Sequence, residues 1–173
     1  MKHSFELATS RLILIGADTT LLSAELSSQR ALAVALDATV PSAWPPEHHD
    51  KGVIEWVSKS LELLAPSDPW RFFYAVLQTP RTLVGTCGFK GAPDPNGYVE
   101  VGYSVLQEFR CAGLATEAVR KLISVAFDRG ASGVAAETYP SLAPSLRVME
   151  KCGMAPAGEG SDRGTVRYVI KRP

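Results

Sequence analysis

The chain has 173 residues, 46% of them hydrophobic, a length that fits one domain able to bury a sizeable core. Lysine plus arginine and aspartate plus glutamate each total 18, so no net field draws the protein to nucleic acid or to an anionic membrane. No apolar run is long enough to span a bilayer, and the opening Met1-Lys2-His3-Ser4-Phe5-Glu6 lacks a secretory apolar core. A cytoplasmic protein, monomeric or homodimeric, is expected. Cys87, Cys111 and Cys152 are odd in number and widely spaced, which predicts reduced thiols and no metal site.

Arg11 to Ile15 is a β-branched and leucine-rich run ending at Gly16, and Asp18 then offers an N-cap to a leucine-rich segment running towards Arg30. Strand and then helix are expected. From Gln29 to Leu64 the spacing of Val53, Ile54, Trp56, Val57, Leu61 and Leu64 is helical, but Pro41, Pro45 and Pro46 interrupt it. Two or three helices joined by a proline-rich bend are predicted. The period changes at Arg71: Phe72 to Leu77 is continuous, and Leu83, Gly85, Cys87 and Phe89 alternate along the next run. These read as neighbouring strands joined near Pro80. Turn chemistry from Gly91 to Gly97 returns a third strand, Tyr98 to Leu106, antiparallel to the second.

A glycine-containing loop follows, then a helix with Ala115, Ala118, Val119, Leu122 and Ala126 on one face, ending at Gly130, then a strand from Val134 to Tyr139. Strand, helix, strand implies a right-handed crossover between parallel strands. Pro144 suits a helical first turn, and Leu146, Val148, Met149 and Cys152 supply a helix stopping at Gly153. Strands near Met154 to Ala157 and Thr165 to Lys171 close the chain around a glycine-rich turn. The fold class is α/β: one domain over residues 1–173, with a mixed, mostly antiparallel sheet, a central parallel strand pair and flanking helices.

Gln107-Glu108-Phe109-Arg110-Cys111-Ala112-Gly113-Leu114-Ala115-Thr116-Glu117-Ala118 joins the middle strand to the crossover helix, so unpaired N–H groups of a helix start converge there. Gly113 lets the backbone bend tightly and approach a ligand, Ala115 leaves the next amide uncovered, and Arg110 brings a permanent charge. A diphosphate suits such a turn. No Gly-Lys-Ser/Thr follows and no dinucleotide glycine pattern is present, which sets kinase and dehydrogenase readings aside.

Lying between Tyr98-Val99-Glu100-Val101-Gly102-Tyr103 and Thr116-Glu117-Ala118, this loop resembles the Arg/Gln-x-x-Gly-x-Gly/Ala segment of the GNAT superfamily of N-acetyltransferases. Ser145-Leu146-Arg147-Val148-Met149-Glu150-Lys151-Cys152-Gly153-Met154 resembles the same family's Ser-x-Arg-Val-Leu-Glu-Lys-x-Gly-Phe segment. The resemblance runs from Arg11 to about Arg172 and, with the opening Thr9-Ser10-Arg11-Leu12, is most similar to the ribosomal-protein N-terminal acetyltransferase branch.

The resemblance implies that Arg110, Cys111, Ala112, Gly113, Leu114, Ala115 and Thr116 hold the pyrophosphate of acetyl-CoA. It implies further that the backbone of Val105 and Leu106 contacts pantetheine and polarises the thioester carbonyl, and that Ser145 lies near pantetheine and the thiol. The activity implied is transfer of the acetyl group directly to a primary amine, on a small molecule or a peptide, with no covalent enzyme nucleophile.

Glu100 alternates with Gly102 and Ser104, opposite Val99, Val101 and Tyr103. A carboxylate on a face of small residues has room for a substrate and is the candidate base, with Glu137 second. Two residues depart from the family pattern. Leu142 stands where an Asn often contacts the cofactor, and Met149 where a Tyr often protonates the leaving thiolate. Ser145, Tyr103 and Tyr139 remain as conceivable donors, and a catalytically silent acyl-CoA sensor is the alternative function. Cys111 is expected to be a bystander, His48 and His49 exposed and idle, and Trp44, Trp56 and Trp70 core.

Overall fold

The chain opens on an edge hairpin, β1 (Glu6–Ala8) against β2 (Leu12–Gly16), with Glu6 opposite Ile15. β1 went unseen in the sequence because three residues with little apolar pattern give no period to read. The computed structural model describes residues 5–65 and 67–173. The expectation attached to Met1 through Ser4 lies outside the described residues.

Asp18 caps α1 (Thr19–Ser27), accepting the Leu21 amide at 2.8 Å. The helix expected to run towards Arg30 breaks at Ser28. That residue is extended, so it ends α1, while its Oγ accepts the Ala31 amide at 3.0 Å and begins α2 (Gln29–Leu36). A serine side chain that competes for backbone amides is a natural place for such a division. The proline-containing stretch leads to α3 (Lys51–Glu62), capped by Asp50.

β3 (Phe72–Gln78), β4 (Arg81–Phe89) and β5 (Tyr98–Val105) form the expected meander. A 3-10 turn over Gln107–Phe109 and α4 (Leu114–Asp128) then lead to β6 (Gly133–Thr138), parallel to β5. After α5 (Ala143–Lys151), β7 (Ala155–Glu159) and β8 (Val166–Lys171) finish what is, among the described residues, a single eight-stranded sheet in the order β1-β2-β3-β4-β5-β6-β8-β7.

Each face of the sheet carries its own core. Leu12, Leu14, Phe73, Val99 and Val101 pack with Val119, Leu122 and Ala126 of α4 and Met149 of α5. Ile15, Tyr74, Val76 and Leu83 pack on the other face with Leu21, Leu32 and Val57 from the first three helices. Burying one such aliphatic side chain is worth about 1.5–3 kcal/mol, so both helical layers are held firmly to the sheet between them. Among the described residues no helix is long and apolar enough to cross a membrane.

Candidate active site

β5 and β6 are in register only at Tyr98–Gly133, Val99–Val134 and Glu100–Ala135. Beyond that point β5 stays with β4 as far as Val105–Gly85, and β6 stays with β8 as far as Thr138–Val166. Each strand keeps its outer neighbour and loses the other, so a cleft opens inside the sheet with Glu100 at its apex. β4 steers the departure. Its register with β3 shifts at Ala75/Val76, Leu106 donates its amide to the Val84 carbonyl at 2.9 Å, and a Cβ on Gly85 would collide with the Ser104 carbonyl.

The cleft leads to the loop from Arg110 to Thr116 at the start of α4, which the sequence predicts to hold an anion. Asp18, Ser28 and Asp50 cap α1, α2 and α3 with their side chains, but α4 begins at Gly113, with φ of 77° and no side-chain cap. Its first-turn amides, those of Leu114, Ala115 and Thr116, are thereby left for a ligand. Cys111 also adopts a left-handed φ, 63°, so the backbone reverses twice within three residues. Arg110 donates from Nε to the Val105 carbonyl at 3.1 Å and from Nη2 to Glu47 at 2.9 Å.

The Thr9-Ser10-Arg11-Leu12 segment braces this turn. Glu117 accepts from Thr9 Oγ1 at 2.6 Å, the Arg11 amide at 2.7 Å and Arg11 Nε at 2.7 Å, while Arg11 Nη1 donates to the Ala112 carbonyl at 2.9 Å. Burial alone would push the Glu117 carboxyl up, but the Thr9 and Arg11 hydrogen bonds outweigh it and hold the group below the usual carboxylate range. The acidic residue in the first turn of α4 is thus neutralised, and a loop carbonyl is tied down beside the amides.

On the α4 face of β5, Tyr103 crosses to α5. Its hydroxyl donates to the Ser145 carbonyl at 2.9 Å and lies 3.0 Å from Ser145 Oγ. With the single phenolic proton on the carbonyl, the serine hydroxyl donates to the phenol oxygen. Burial, with a smaller contribution from Cys152, raises the Tyr103 pKa to about 12 against the opposing bond to Ser145. Tyr139 is exposed on the loop after β6, and Met149 is buried in the core. Of the three conceivable proton donors, Tyr103 and Ser145 come together.

On the opposite face, Glu100 pairs with Lys90 Nζ. Its neighbours Gly102 and Ser104 line a cavity of about 330 Å³ with Lys90, Thr86 and Trp56. Ser104 Oγ reaches the Glu47 carbonyl at 3.0 Å and fastens the Glu47 to His49 segment over this cavity. Glu137 is occupied elsewhere: it accepts from Ser161 N and Oγ, both at 2.8 Å, and from Arg167 at 2.7 Å. Burial would raise its pKa, but these bonds lower it below the usual range, so it is a poor proton acceptor.

Two expectations fail here. His49 is 5% exposed, and its Nε2 lies 2.8 Å from Glu25, which also accepts from Trp44 Nε1 at 2.9 Å and the Tyr74 hydroxyl at 2.6 Å. Trp56 is 40% exposed and walls the cavity rather than the core, whereas Trp44 is buried. Glu25 gave no signal in the sequence because a lone glutamate within a helix reads as a solvated face. Cys87 and Cys152 are buried and their thiols are pushed up, to about 12 and about 11, while Cys111 is exposed.

The parallel pair β5 and β6 splays beside the uncapped start of α4, an arrangement whose free amides suit a phosphate-bearing ligand. The acetyltransferase (GNAT) domain family model matches residues 18–155, and the chain belongs to that family. It is similar over 169 residues, at 28% identity, to the uncharacterized N-acetyltransferase YjdG of Bacillus subtilis, covering 95% of this chain and 98% of that protein. Two solved structures share the fold. The microcin C7 self-immunity acetyltransferase MccE, in complex with acetyl-CoA and AMP, has a TM-score of 0.66 at 14% identity, covering 94% of this chain and 93% of that one. The ribosomal L7/L12 α-N-protein acetyltransferase RimL, in complex with coenzyme A, has a TM-score of 0.68 at 16% identity, covering 96% and 98%. The protein is an acetyl-CoA-dependent acyltransferase. Its uncapped α4 start, with Gly113 left-handed and clear space where a Cβ would stand, fits the cofactor's pyrophosphate.

Proposed function

We infer that the protein transfers the acetyl group of acetyl-CoA to a primary amine, on a small molecule or a peptide N-terminus, with the acceptor approaching from the cavity beside Gly102 and Ser104. The observation that carries this reading is the cleft: it begins at Glu100 and runs between β5 and β6 towards the loop of Arg110 to Thr116. When bound, acetyl-CoA supplies the thioester carbonyl. The Arg110 guanidinium and the amides from Cys111 to Thr116 bind its pyrophosphate, and the backbone of Val105 and Leu106 runs beside its pantetheine arm. Because the Leu106 amide is held by Val84, the polarising donor in this reading is the Val105 amide.

Glu100 takes the proton of the incoming ammonium, and leaves its ion pair with Lys90 to do so. Coenzyme A departs as a thiolate, and the Ser145 hydroxyl, turned away from the Tyr103 oxygen, is the hydrogen-bond donor that meets it. Tyr103 holds Ser145 in place and, at about 12, keeps its own proton. Three free cysteines and an acyl-CoA substrate suit the cytoplasm. Thiol release from acetyl-CoA, measured against a panel of primary amines with the acetylated product identified by mass, tests the reading. Release with no amine in the panel would overturn it.

A further inference from the structure

Lys90, just past the end of β4, and Glu100, in β5, stand side by side on neighbouring strands. The Lys90 amide donates to the Glu100 carbonyl at 2.8 Å, and the two side chains form an ion pair. Lys90 also lines the cavity of about 330 Å³, and its Cε lies 3.7 Å from where a Cβ on Gly102 would stand. The lysine stem therefore runs over Gly102, on the face of β5 that Glu100 shares. Among the described residues it is the one Lys or Arg in the cavity wall, and Glu47, the acid in the same wall, is held by Arg110. The Lys90 side chain is 52% exposed and that of Glu100 21%, so a ligand arriving from solvent reaches the ammonium first. A pair so exposed contributes little to stability, and exchanging its partners costs correspondingly little.

We propose that the acceptor is a free α-amino acid with an apolar side chain. Its carboxylate replaces Glu100 on Lys90, and its ammonium replaces Lys90 on Glu100. This rests on the acetyl-transfer reading above. A simple amine that opened the pair would leave the lysine charge unanswered, all the more once Glu100 has taken a proton and become neutral. A zwitterion carries both replacements on one carbon, so each charge keeps a charge-assisted partner through the exchange. After the ammonium gives one proton to Glu100, the nitrogen lone pair attacks the thioester carbon. The C–N bond forms, the C–S bond breaks as the carbonyl is restored, and a second nitrogen proton ends on coenzyme A as its thiol. The carboxylate stays on Lys90 throughout. Val53, Trp56, Phe72 and Phe89 form the apolar part of the wall that receives the side chain. At about 330 Å³ the cavity is at the small end of ligand sites, about 300–1,000 Å³, which suits one amino acid. A peptide N-terminus has an amide where this acceptor has its carboxylate, and brings Lys90 no anion.

Lys90→Met tests the exchange, because it keeps an unbranched stem and removes the charge. The probes are L-phenylalanine, L-leucine and L-methionine, each beside its own amide, which has the same side chain and an α-amine but no carboxylate. The wild-type enzyme is expected to acetylate the free amino acids. Lys90→Met should raise their KM about five- to tenfold more than it raises the KM of the matching amides, between the scale of an exposed ion pair and that of a hydrogen bond to charge. Both members of each pair use Glu100 as base, so an effect of the substitution through Glu100 cancels in the ratio. Lys90→Arg keeps a cation and should restore most of the difference. Equal changes for free amino acid and amide overturn the proposal and leave acetyl transfer standing. So does a wild-type enzyme that acetylates amides or other amines while refusing the free amino acids. Failure to release thiol with any amine overturns the acetyl-transfer reading, and this proposal with it.

Discussion

Arg110 Nη2 and Glu47 Oε2 meet at 2.9 Å, and this contact joins the Arg110 to Thr116 loop to the segment that roofs the cavity over β4 and β5. The Arg110 hydrogen bond, with its charge, holds the Glu47 carboxyl below the usual range. A pyrophosphate that engages Arg110 competes with Glu47 for one guanidinium. Glu47→Gln removes the competitor and should tighten acetyl-CoA binding, by up to about fivefold for an exposed pair. Calorimetry at low and high salt checks it, since the gain should shrink as salt screens the charge.

Arg110→Ala should weaken acetyl-CoA binding by about 1–3 kcal/mol, the scale of a hydrogen bond to a charged group. Gly113→Val should do more damage, because φ of 77° is costly for a β-branched residue at the start of α4. Titration calorimetry, paired with thermal melts to separate binding from folding, would refute the loop assignment if both variants kept wild-type affinity.

Glu100→Gln keeps shape while removing the base. Turnover is expected to fall by about 10²–10⁴-fold with cofactor affinity retained, and the deficit should narrow at high pH, where more of the amine is neutral in solution. A variant that turns over like wild type at neutral pH with chemistry limiting leaves Glu100 as the structural partner of Lys90.

Glu117 and Glu137 make stability acid-sensitive. Both carboxyls lie below their unfolded value of about 4.3. Their contribution is therefore complete above that pH and is lost as pH falls through the lower folded values. The melting temperature should drop across that window, and Glu137→Gln should both lower the plateau near pH 7 and flatten the acid limb. An unaltered acid limb in scanning calorimetry would count against the Glu137 cluster.

Ellman's reagent should find one fast thiol in the native protein, Cys111, and the two buried thiols only after unfolding. Acetyl-CoA should slow the fast reaction by covering the loop. Equal rates with and without the cofactor would show that the ligand lies elsewhere.

What the sequence disclosed was whatever had a period or a cap. The meander, the crossover helix and its glycine start follow from alternation in β4 and β5, the apolar face of α4 and the backbone freedom of Gly113. The Glu25–His49 pair was illegible because its members stand 24 residues apart and meet through the packing of α1 against the roof segment. Thr9 and Arg11 were noticed as part of a family pattern, but their partner Glu117 lies more than a hundred positions away, and local spacing cannot report such a distance.

The splayed pair β5 and β6 gives this sheet a feature found usually at its outer margins. From Val101 to Val105 and from Ala136 to Thr138 the strands show two facing, unladdered borders within the fold. A border of that kind invites any extended chain to complete it. In the reading proposed above, the pantetheine arm, with its two amides, serves as the missing rung between these borders, and the bound cofactor acts as a removable strand. Emptied of it, the protein should exchange the amides along the seam faster and be more prone to join strands with its neighbours. Coenzyme A added during purification should then suppress association in proportion to its occupancy.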